Sequence, residues 1–205
     1  MKFLFFYCIG AVLIFIGIMA LWRRYNWPCP SWLALLLENP YIEAVAGSSL
    51  LLDRISLKSG MRLLDIGCGP GRLSIPAAER LKAKGEVLAL DVQPAMLRKV
   101  KERIKVKGLK NIRTQLGGIG KVKLKQNYFD RAILVTVLGE IPHRKKALAV
   151  IYKTMKSGGI LSITEVIPDP HYQSRKKVRE LAESVGFRLK ASYGTWLAFT
   201  MNFIK

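Results

Sequence analysis

A glycine-rich loop that follows an acid is the part of the sequence whose residue types most clearly indicate chemistry. The stretch RLLDIGCGPGR places Asp65 near the end of an apolar run, followed by Gly67, Gly69 and Gly71 at alternate positions. Glycines in such a loop allow the backbone to approach a ligand closely. The dinucleotide-binding pattern G-x-G-x-x-G requires a final glycine where this chain has Arg72. An acid at this point suits a cationic ligand that carries an amino group better than it suits a pyrophosphate.

Alternating strand and helix patterns surround this loop. Apolar runs bounded by turn residues predict strands at 61–66, 86–91, 111–116, 129–138, 160–167, 187–193 and 196–204. Amphipathic stretches with cap residues predict helices at 48–57, 72–83, 94–108, 143–159 and 174–186. This alternation predicts a parallel sheet that is covered on both faces and binds ligands at the carboxyl ends of its strands. Only Gly194 and Thr195 separate the last two strands, which predicts a terminal hairpin.

The loop belongs to an ordered set of landmarks. LLDIGCGPGR resembles motif I of the class I S-adenosylmethionine-dependent methyltransferases, D/E-x-G-x-G-x-G. VLGEIPHRKKALAVIYKTMKSGGILSITE resembles the family's segment from the fourth strand to the fifth. The resemblance covers roughly Leu50 to Lys205 and is nearest to the ubiquinone/menaquinone-biosynthesis and phospholipid N-methyltransferase group. It implies an α/β fold with a Rossmann-like, seven-stranded, mostly parallel sheet and a C-terminal antiparallel hairpin.

The resemblance implies S-adenosylmethionine as the cofactor. An acid at the end of the second strand binds the ribose hydroxyls in such folds, and here that acid is Asp91. The segment after the third strand commonly reads G-D or G-D-A in this group, and its acid binds the adenine amino group. This chain has Gly118 there, so adenine would depend on backbone groups of Gly118 and Ile119. The cofactor-binding residues implied by the resemblance are Asp65, Gly67, Cys68, Gly69, Gly71, Asp91, Val92, Gly118 and Ile119.

Methyl transfer from a sulfonium requires little more than position and desolvation from the protein. A neutral amine acceptor needs no strong base, whereas a phenol or a ring carbon must lose a proton. The candidates for proton removal at the carboxyl edge of the sheet are Glu140, His143, Glu165, Asp169 and His171. Each candidate also has a structural role that competes with this function. Glu140 and His143 are placed to cap a helix, and Glu165 is placed to brace a loop. Asp169 and His171 flank a proline in an ordinary turn.

The N-terminal segment predicts a transmembrane helix. From Phe3 to Trp22 there are twenty residues without a charge, and a helix of that length spans roughly 30 Å, the thickness of a bilayer's hydrocarbon core. A cleaved signal peptide would have an apolar core of only about 7–15 residues, and a buried core helix is the other alternative. We expect a single-pass anchor at 1–24, an interfacial connector at 25–47 and the methyltransferase domain at 48–205.

The net charge of +20 is unevenly distributed. From Arg98 to Lys125 there are eleven Lys or Arg residues and one acid, Glu102. Basic residues near a cytoplasmic leaflet are attracted to anionic lipid, and nucleic acid is the rival partner for such a surface. The predicted anchor argues against nucleic acid, as does the lack of aromatic residues interleaved with this run. We therefore expect a bilayer with anionic lipid as the partner, no nucleic acid, and a domain that faces the cytosol, where S-adenosylmethionine is made.

The cysteines and histidines predict no metal site. Cys8, Cys29 and Cys68 lack metal-ligand spacing to one another or to a histidine, and they form no disulfide framework. Only two histidines are present, His143 and His171, so a zinc or iron site is not expected. This cysteine usage fits a reduced cytosolic domain.

These features together predict a membrane-anchored S-adenosylmethionine-dependent methyltransferase. A tethered enzyme meets membrane-dissolved substrates at high effective concentration, which favours a lipid acceptor. That acceptor is an aminophospholipid headgroup or a quinone or isoprenoid precursor. The alternatives are a methyltransferase of a lysine on a membrane protein, or a membrane-tethered module that binds S-adenosylmethionine without catalysis, which the glycine at position 118 keeps open. No N-P-P-Y follows the fourth strand, so a nucleobase or glutamine amide acceptor loses support.

Overall fold

The structure is a computed structural model, and it describes residues 40–167 and 169–205 together with Gly10, Gly17 and Leu21. Within these described residues no helix is both long enough and apolar enough to cross a bilayer. Apart from the three isolated residues, the predicted anchor at 1–24 and the first part of the predicted connector, 25–39, lie outside the described residues. The anchor and the domain boundary at residue 48 stay predictions.

Strands and helices alternate along the described chain in the predicted order. The strands are β1 (Arg62–Ile66), β2 (Glu86–Asp91), β3 (Ile112–Leu116), β4 (Phe129–Val135), β5 (Met155–Val166), β6 (Arg188–Gly194) and β7 (Ala198–Ile204). The helices are α1 (Pro40–Ala46), α2 (Ser48–Arg54), α3 (Ser74–Leu81), α4 (Pro94–Lys107), α5 (Arg144–Thr154) and α6 (Arg175–Glu183), with a 3₁₀ turn at Leu138–Glu140.

The strands form one sheet in the order β3-β2-β1-β4-β5-β7-β6. Strands β1 to β5 pair in parallel, and β7 is antiparallel to both β5 and β6. This confirms the predicted seven-stranded, mostly parallel sheet with an antiparallel terminal hairpin. The strand order reverses between β1 and β4, and open α/β sheets bind their ligands at the carboxyl ends of the strands beside such a reversal.

Two apolar cores cover the two faces of the sheet. The first joins α2, α3 and α4 to one face, and the second joins α5 and α6 to the other. Neighbouring strand residues alternate between them, so Leu63 lies in the first core and Leu64 in the second, both fully buried. Because both faces are covered, the inner strands carry apolar residues on both faces, which is why the sequence reveals them as nearly continuous apolar runs.

Strand β5 begins earlier than the sequence predicts. The helix predicted over 143–159 ends at Thr154, and the strand starts at the next residue, Met155. The Gly158–Gly159 pair, expected to stop a helix, lies inside the strand where the register with β4 shifts. The N–H of Gly158 donates to the C=O of Lys205 at 3.2 Å, and the N–H of Lys205 donates to the C=O of Gly159 at 3.0 Å. Pairing with the chain's last residue therefore sets this local structure.

Further boundaries differ from prediction by a few residues. The helix predicted over 48–57 ends at Arg54, the strand predicted over 129–138 ends at Val135, and the helix predicted over 174–186 ends at Glu183. The hairpin connection comprises three residues, 195–197, because the second strand starts at Ala198. The N–H of Thr195 donates to the C=O of Ala198 at 2.8 Å and closes this turn.

Candidate functional site

The glycine loop leaves the carboxyl end of β1 and bends over the end of β2. The N–H groups of Gly67 and Cys68 both donate to the C=O of Leu90, at 2.8 Å and 3.0 Å. Gly67, Gly69 and Gly71 have φ angles of +67°, +53° and +88°. This left-handed backbone is accessible to glycine and costly for other residues, so the alternation of glycines follows from the path of the loop.

Two of these glycines are packed and one is open. A Cβ atom on Gly67 would lie 2.4 Å from Cγ2 of Val137, and one on Gly71 would lie 3.2 Å from Cγ2 of Val100. A Cβ atom on Gly69 would meet nothing within 4 Å. The backbone at Gly69 is therefore the part of the loop that a ligand can approach.

Asp91 ends β2 directly beside this opening. Its Oδ2 accepts a hydrogen bond from the N–H of Gly69 at 2.9 Å, and its Oδ1 accepts one from the N–H of Gln93 at 2.8 Å. A carboxylate offers about four acceptor positions, and backbone N–H groups, including that of Val92, occupy most of them. Burial raises the pKa of Asp91 above its ordinary value, and the backbone N–H groups oppose that shift. The carboxylate holds the loop in place and keeps spare acceptor capacity.

Asp65 lies beneath the loop and supports it from inside the fold. It is 3% exposed, and the hydroxyl of Ser74, the first residue of α3, donates to its Oδ2 at 2.5 Å. Burial raises the pKa of Asp65 to about 7, and the neighbouring charge of Asp91 adds to the rise. Two acids consequently share a small region at the ends of β1 and β2, and the site is most negative once Asp65 is ionised.

The segment after β3 forms the next wall of the site. The N–H of Gly117 donates to the C=O of Asp91 at 2.9 Å. A Cβ atom on Gly118 would lie 3.6 Å from Cγ1 of Val92, an ordinary contact, and the φ angle of Gly118 lies outside the left-handed region. Val92 is 54% exposed, while Ile119 packs at the margin of the second core. This wall is apolar and has room for a side chain at position 118.

A second polar cluster lies at the carboxyl end of β5. Glu165 is 1% exposed, and its Oε2 accepts a hydrogen bond from the N–H of Gln173 at 3.1 Å. No donor among the described residues reaches its Oε1. Burial raises the pKa of Glu165 to about 8, and the charges of Asp169 and Glu140 contribute to the rise while Arg144 opposes it. Glu165 is a buried carboxyl group that retains a proton more readily than an exposed one.

His171 and Asp169 lie in the loop that covers Glu165. The backbone N–H of His171 donates to Oδ1 of Asp169 at 2.6 Å, and its Nδ1 lies 3.9 Å from the same oxygen. Burial raises the pKa of Asp169 to about 6. A Cβ atom on Gly139 would lie 1.8 Å from the C=O of His171, so the 3₁₀ turn packs tightly against this loop.

The structure therefore brings four of the five predicted proton-transfer candidates together and leaves one apart. Glu140, Glu165, Asp169 and His171 share the region where the 3₁₀ turn meets the loop after β5. His143 is exposed at the start of α5, where its side chain makes no capping hydrogen bond. The catalytic roles of all five stay predictions.

Two residues with a place in the site were not singled out for it by sequence reasoning. Thr136, just after β4, has a φ angle of +55°, a rare backbone for a β-branched residue. Its N–H donates to the C=O of Thr164 at 2.8 Å. Strained residues of this kind cluster at functional sites, yet nothing in the sequence around a threonine indicates the strain.

The second residue is Arg72. The sequence shows its position in the loop but not its contact with α1. Its guanidinium donates to the C=O of Ala46 at 2.7 Å and lies 3.9 Å from a carboxylate oxygen of Glu43. Arg72 therefore joins the glycine loop to α1.

A comparison with protein families agrees with the strand order and the loop geometry. A family model described as a methyltransferase domain matches residues 57–199. The chain belongs to the methyltransferase domain family. The methyltransferase domain is 32% identical over 114 residues to the ubiquinone/menaquinone biosynthesis C-methyltransferase of Bordetella parapertussis, an alignment that covers 56% of this chain and 44% of that protein. It is 28% identical over 110 residues to the demethylmenaquinone methyltransferase of Geobacillus kaustophilus, covering 54% of this chain and 47% of that one.

The chain thus spans less than half the length of these curated relatives. Solved structures show a similar fold. An S-adenosylmethionine-dependent methyltransferase from Aquifex aeolicus superposes with a TM-score of 0.78 at 23% identity, covering 86% of this chain and 99% of that one. A phosphoethanolamine N-methyltransferase from Haemonchus contortus superposes with a TM-score of 0.66 at 22% identity, covering 78% of this chain and 41% of that one. The class I methyltransferase fold and the S-adenosylmethionine-dependent class expected from motif I are confirmed.

Proposed function

We propose that this methyltransferase domain transfers a methyl group from S-adenosylmethionine to a lipid acceptor of the quinone or isoprenoid-precursor type. The observation that supports this best is the presence, at one edge of the sheet, of an open glycine loop beside Asp91 and of the buried Glu165. Their strands are separated by β1 and β4, so the ends of the two strands lie about 14 Å apart. Asp91 follows the face of the first core and Glu165 the face of the second, with the ends of β1 and β4 between them.

The residues around the loop fit the cofactor. Asp91 keeps acceptor capacity for a ribose hydroxyl, and Gly69 presents bare backbone on the open side. Val92 and Ile119 offer an apolar wall for an adenine ring beside Gly118. S-adenosylmethionine supplies a methyl carbon already activated by a positively charged sulfonium. Two acids at the ends of neighbouring strands give the negative potential that such a cation requires.

The acceptor class follows from the chemistry of Glu165. Methylation of a ring carbon or a phenol requires removal of a proton, and methylation of a neutral amine requires no strong base. A buried carboxylate with a raised pKa and an unpaired oxygen is suited to accept that proton. The two curated relatives are named as quinone-biosynthesis enzymes. Both observations favour a quinone precursor over an aminophospholipid headgroup.

The cellular setting of the proposal is the cytosolic face of a membrane. The uncharged run from Phe3 to Trp22 has the length of a single-pass anchor. A protein held in this way meets an apolar acceptor where that acceptor is dissolved. Protease treatment should spare the domain in intact cells and digest it in inverted vesicles, and the reverse pattern would contradict this placement.

The acceptor class is tested by transfer of a labelled methyl group from S-adenosylmethionine into total membranes, followed by separation of neutral lipid, phospholipid and protein. We expect the label in neutral lipid. Label in phospholipid would identify an amine headgroup, and label in protein would identify a lysine. Cofactor binding without transfer to any fraction would identify a non-catalytic module.

The site assignment is tested by two variants and a shared control. Asp91→Asn should weaken S-adenosylmethionine binding by about 1–3 kcal/mol in calorimetry, because a charge-assisted hydrogen bond is lost. Glu165→Gln should leave that affinity unchanged, lower the rate of transfer and abolish the rise in rate as pH increases towards about 8. Glu180→Gln, on the exposed side of α6, should change neither property. A Glu165→Gln enzyme with an unaltered pH profile would remove Glu165 from the reaction.

A further inference from the structure

The most densely charged surface among the described residues plays no part in the proposed reaction. We call it the basic face, and it consists of Arg98, Lys101, Lys105, Lys110, Lys121, Lys123 and Lys125, all of them exposed. Two nearby cations are excluded because acids neutralise them. Lys107 pairs with Glu79 at 2.9 Å, and Arg113 pairs with Glu86.

Helix α4 supplies the first part of the basic face. Its buried side consists of Met96, Leu97 and Val100. Arg98, Lys101 and Lys105 recur at i, i+3 and i+7, a spacing that aligns them along one side of a helix. The packing of α4 against the first core therefore turns a stripe of three cations towards solvent.

The irregular segment 121–125 supplies the second part. Val122 and Leu124 pack against the second core, and Lys121, Lys123 and Lys125 alternate with them and are exposed. This alternating burial places the three lysines on the outer side, where Nζ of Lys125 lies 4.8 Å from the centre of the Tyr128 ring.

The two parts meet around one edge of the sheet. Helix α4 packs on the first core and the 121–125 segment on the second, so they lie on opposite faces beside β3, which is the edge strand. Val106, in the last turn of α4, is 85% exposed on the side of the helix that also carries Glu102, next to the basic stripe. The basic residues therefore flank this edge of the sheet, with an exposed apolar side chain beside them.

We propose that the basic face docks on an anionic lipid bilayer. Clustered Lys and Arg residues near a membrane surface are attracted to anionic headgroups, and Val106 can enter the apolar boundary beneath them. No aromatic residue occurs between Arg98 and Lys125, whereas single-stranded nucleic acid is typically held by several aromatic side chains that stack on bases. Helix α4 starts at the carboxyl end of β2, so a bilayer against it reaches the same edge as the glycine loop. This inference holds whatever the methyl acceptor is.

The test detects contact between the basic face itself and the bilayer. Binding of the full chain is not sufficient, because its apolar N-terminal run can hold it at any membrane. A fluorophore on Val106→Cys, in a full chain that also carries Cys8→Ser and Cys29→Ser, reports the position, since Cys68 is buried. The labelled chain is reconstituted with vesicles of phosphatidylcholine alone or with phosphatidylglycerol, both with brominated acyl chains. We expect quenching only in the anionic vesicles and its loss at high salt.

Charge reversal at the face supplies the decisive comparison. Arg98→Glu, Lys101→Glu and Lys105→Glu together should reduce the quenching to the level in neutral vesicles. A matched triple reversal of Lys176, Lys177 and Lys190, exposed cations on α6 and β6 near the opposite edge of the sheet, should leave it intact. Thermal melts establish that both variants are folded.

Three results would overturn the proposal. The first is equal quenching in neutral and anionic vesicles, and the second is quenching that survives the reversal on α4. The third is the absence of vesicle quenching in a chain that binds duplex or single-stranded RNA through the same three residues, which would identify nucleic acid as the partner.

Discussion

Position 118 is where a single residue separates this chain from the pattern of the family it resembles. The family's acid there would bind the adenine amino group, and Gly118 has neither a left-handed φ angle nor a blocking neighbour, since a Cβ atom would lie 3.6 Å from Val92. Gly118→Asp should therefore fold normally and bind S-adenosylmethionine on the order of tenfold more tightly, through one added charge-assisted hydrogen bond. Isothermal calorimetry measures the change.

The neighbouring glycine provides the control for this gain. Gly117 has a φ angle of +136°, and a Cβ atom there would lie 2.6 Å from Cγ1 of Val122. Gly117→Asp should lower the melting temperature without improving affinity. If Gly118→Asp binds the cofactor no better than the natural chain, adenine does not lie beside position 118.

Asp65 should make stability depend on pH in an unusual direction. Its pKa is about 7 in the fold against an ordinary value of 3.8. Between these values the unfolded chain releases a proton that the folded chain retains, so the free energy of unfolding falls as pH rises from about 4 to about 7. Asp65→Asn should remove this part of the slope in denaturant unfolding curves.

Glu165 contributes in the same direction up to about pH 8, so only the difference between the natural chain and Asp65→Asn isolates Asp65. A cationic ligand favours the ionised carboxylate, and cofactor affinity should rise through about pH 7 in the natural chain. Identical slopes for the two proteins would show that Asp65 does not titrate in this range.

At this scale the sequence predicted those residues whose chemistry follows from type and spacing. The alternate glycines were found because such a loop requires glycine, and Asp91 was assigned its ribose role through the resemblance, a role that stays a prediction. Thr136 was not found, because its strain arises from hydrogen bonds to β5 that no local pattern records. The contact of Arg72 with Ala46 was missed for the same reason, since it joins residues 26 positions apart.

Among the elements, every predicted strand within the described residues is present, and the errors are boundaries and the helix α1, which lies where only a connector was expected. The largest concerns Gly158 and Gly159, which have the composition of a helix stop but lie in a strand. Backbone pairing with Lys205 decides their conformation, and that partner is distant in sequence. Local propensity is a weak prior where tertiary hydrogen bonds compete with it.

Helix α1 depends on the glycine loop for its position, and this dependence can be measured. The Arg72 guanidinium bonds to the C=O of Ala46 and lies near Glu43. Arg72→Ala should cost about 1 kcal/mol of local stability and speed amide hydrogen exchange in α1, with a severalfold loss of cofactor affinity because the loop loses a constraint.

Arg80→Ala is the matched control, because Arg80 joins α3 to Asp53 at the surface through another ion pair. It should leave exchange in α1 and cofactor affinity close to those of the natural chain. Unchanged exchange in Arg72→Ala would show that α1 is held by its apolar packing alone.

Across the whole molecule, the groups that matter for the proposed reaction share the carboxyl edge of the sheet. The glycine loop, Asp91 and the Glu165 cluster lie there, and Arg72 brings α1 to the same edge. Helix α1, the first described helix, therefore lies beside the candidate site. The placement follows from parallel strands, because parallel pairing puts all their carboxyl ends on one side.

Removal of residues 1–27 tests whether the N-terminal segment serves acceptor access rather than cofactor binding. The described residues that form the loop and the acid clusters begin well after position 27, so S-adenosylmethionine affinity should be nearly unchanged. Transfer to an acceptor embedded in vesicles should fall by at least about tenfold, since a tether raises the effective concentration of a membrane-dissolved substrate. Dispersing the acceptor in detergent should recover part of the rate, because the substrate then reaches the site from solution. A truncated enzyme that methylates vesicle lipid as fast as the full chain would mean that the segment has no role in access, and a soluble acceptor would become the better hypothesis.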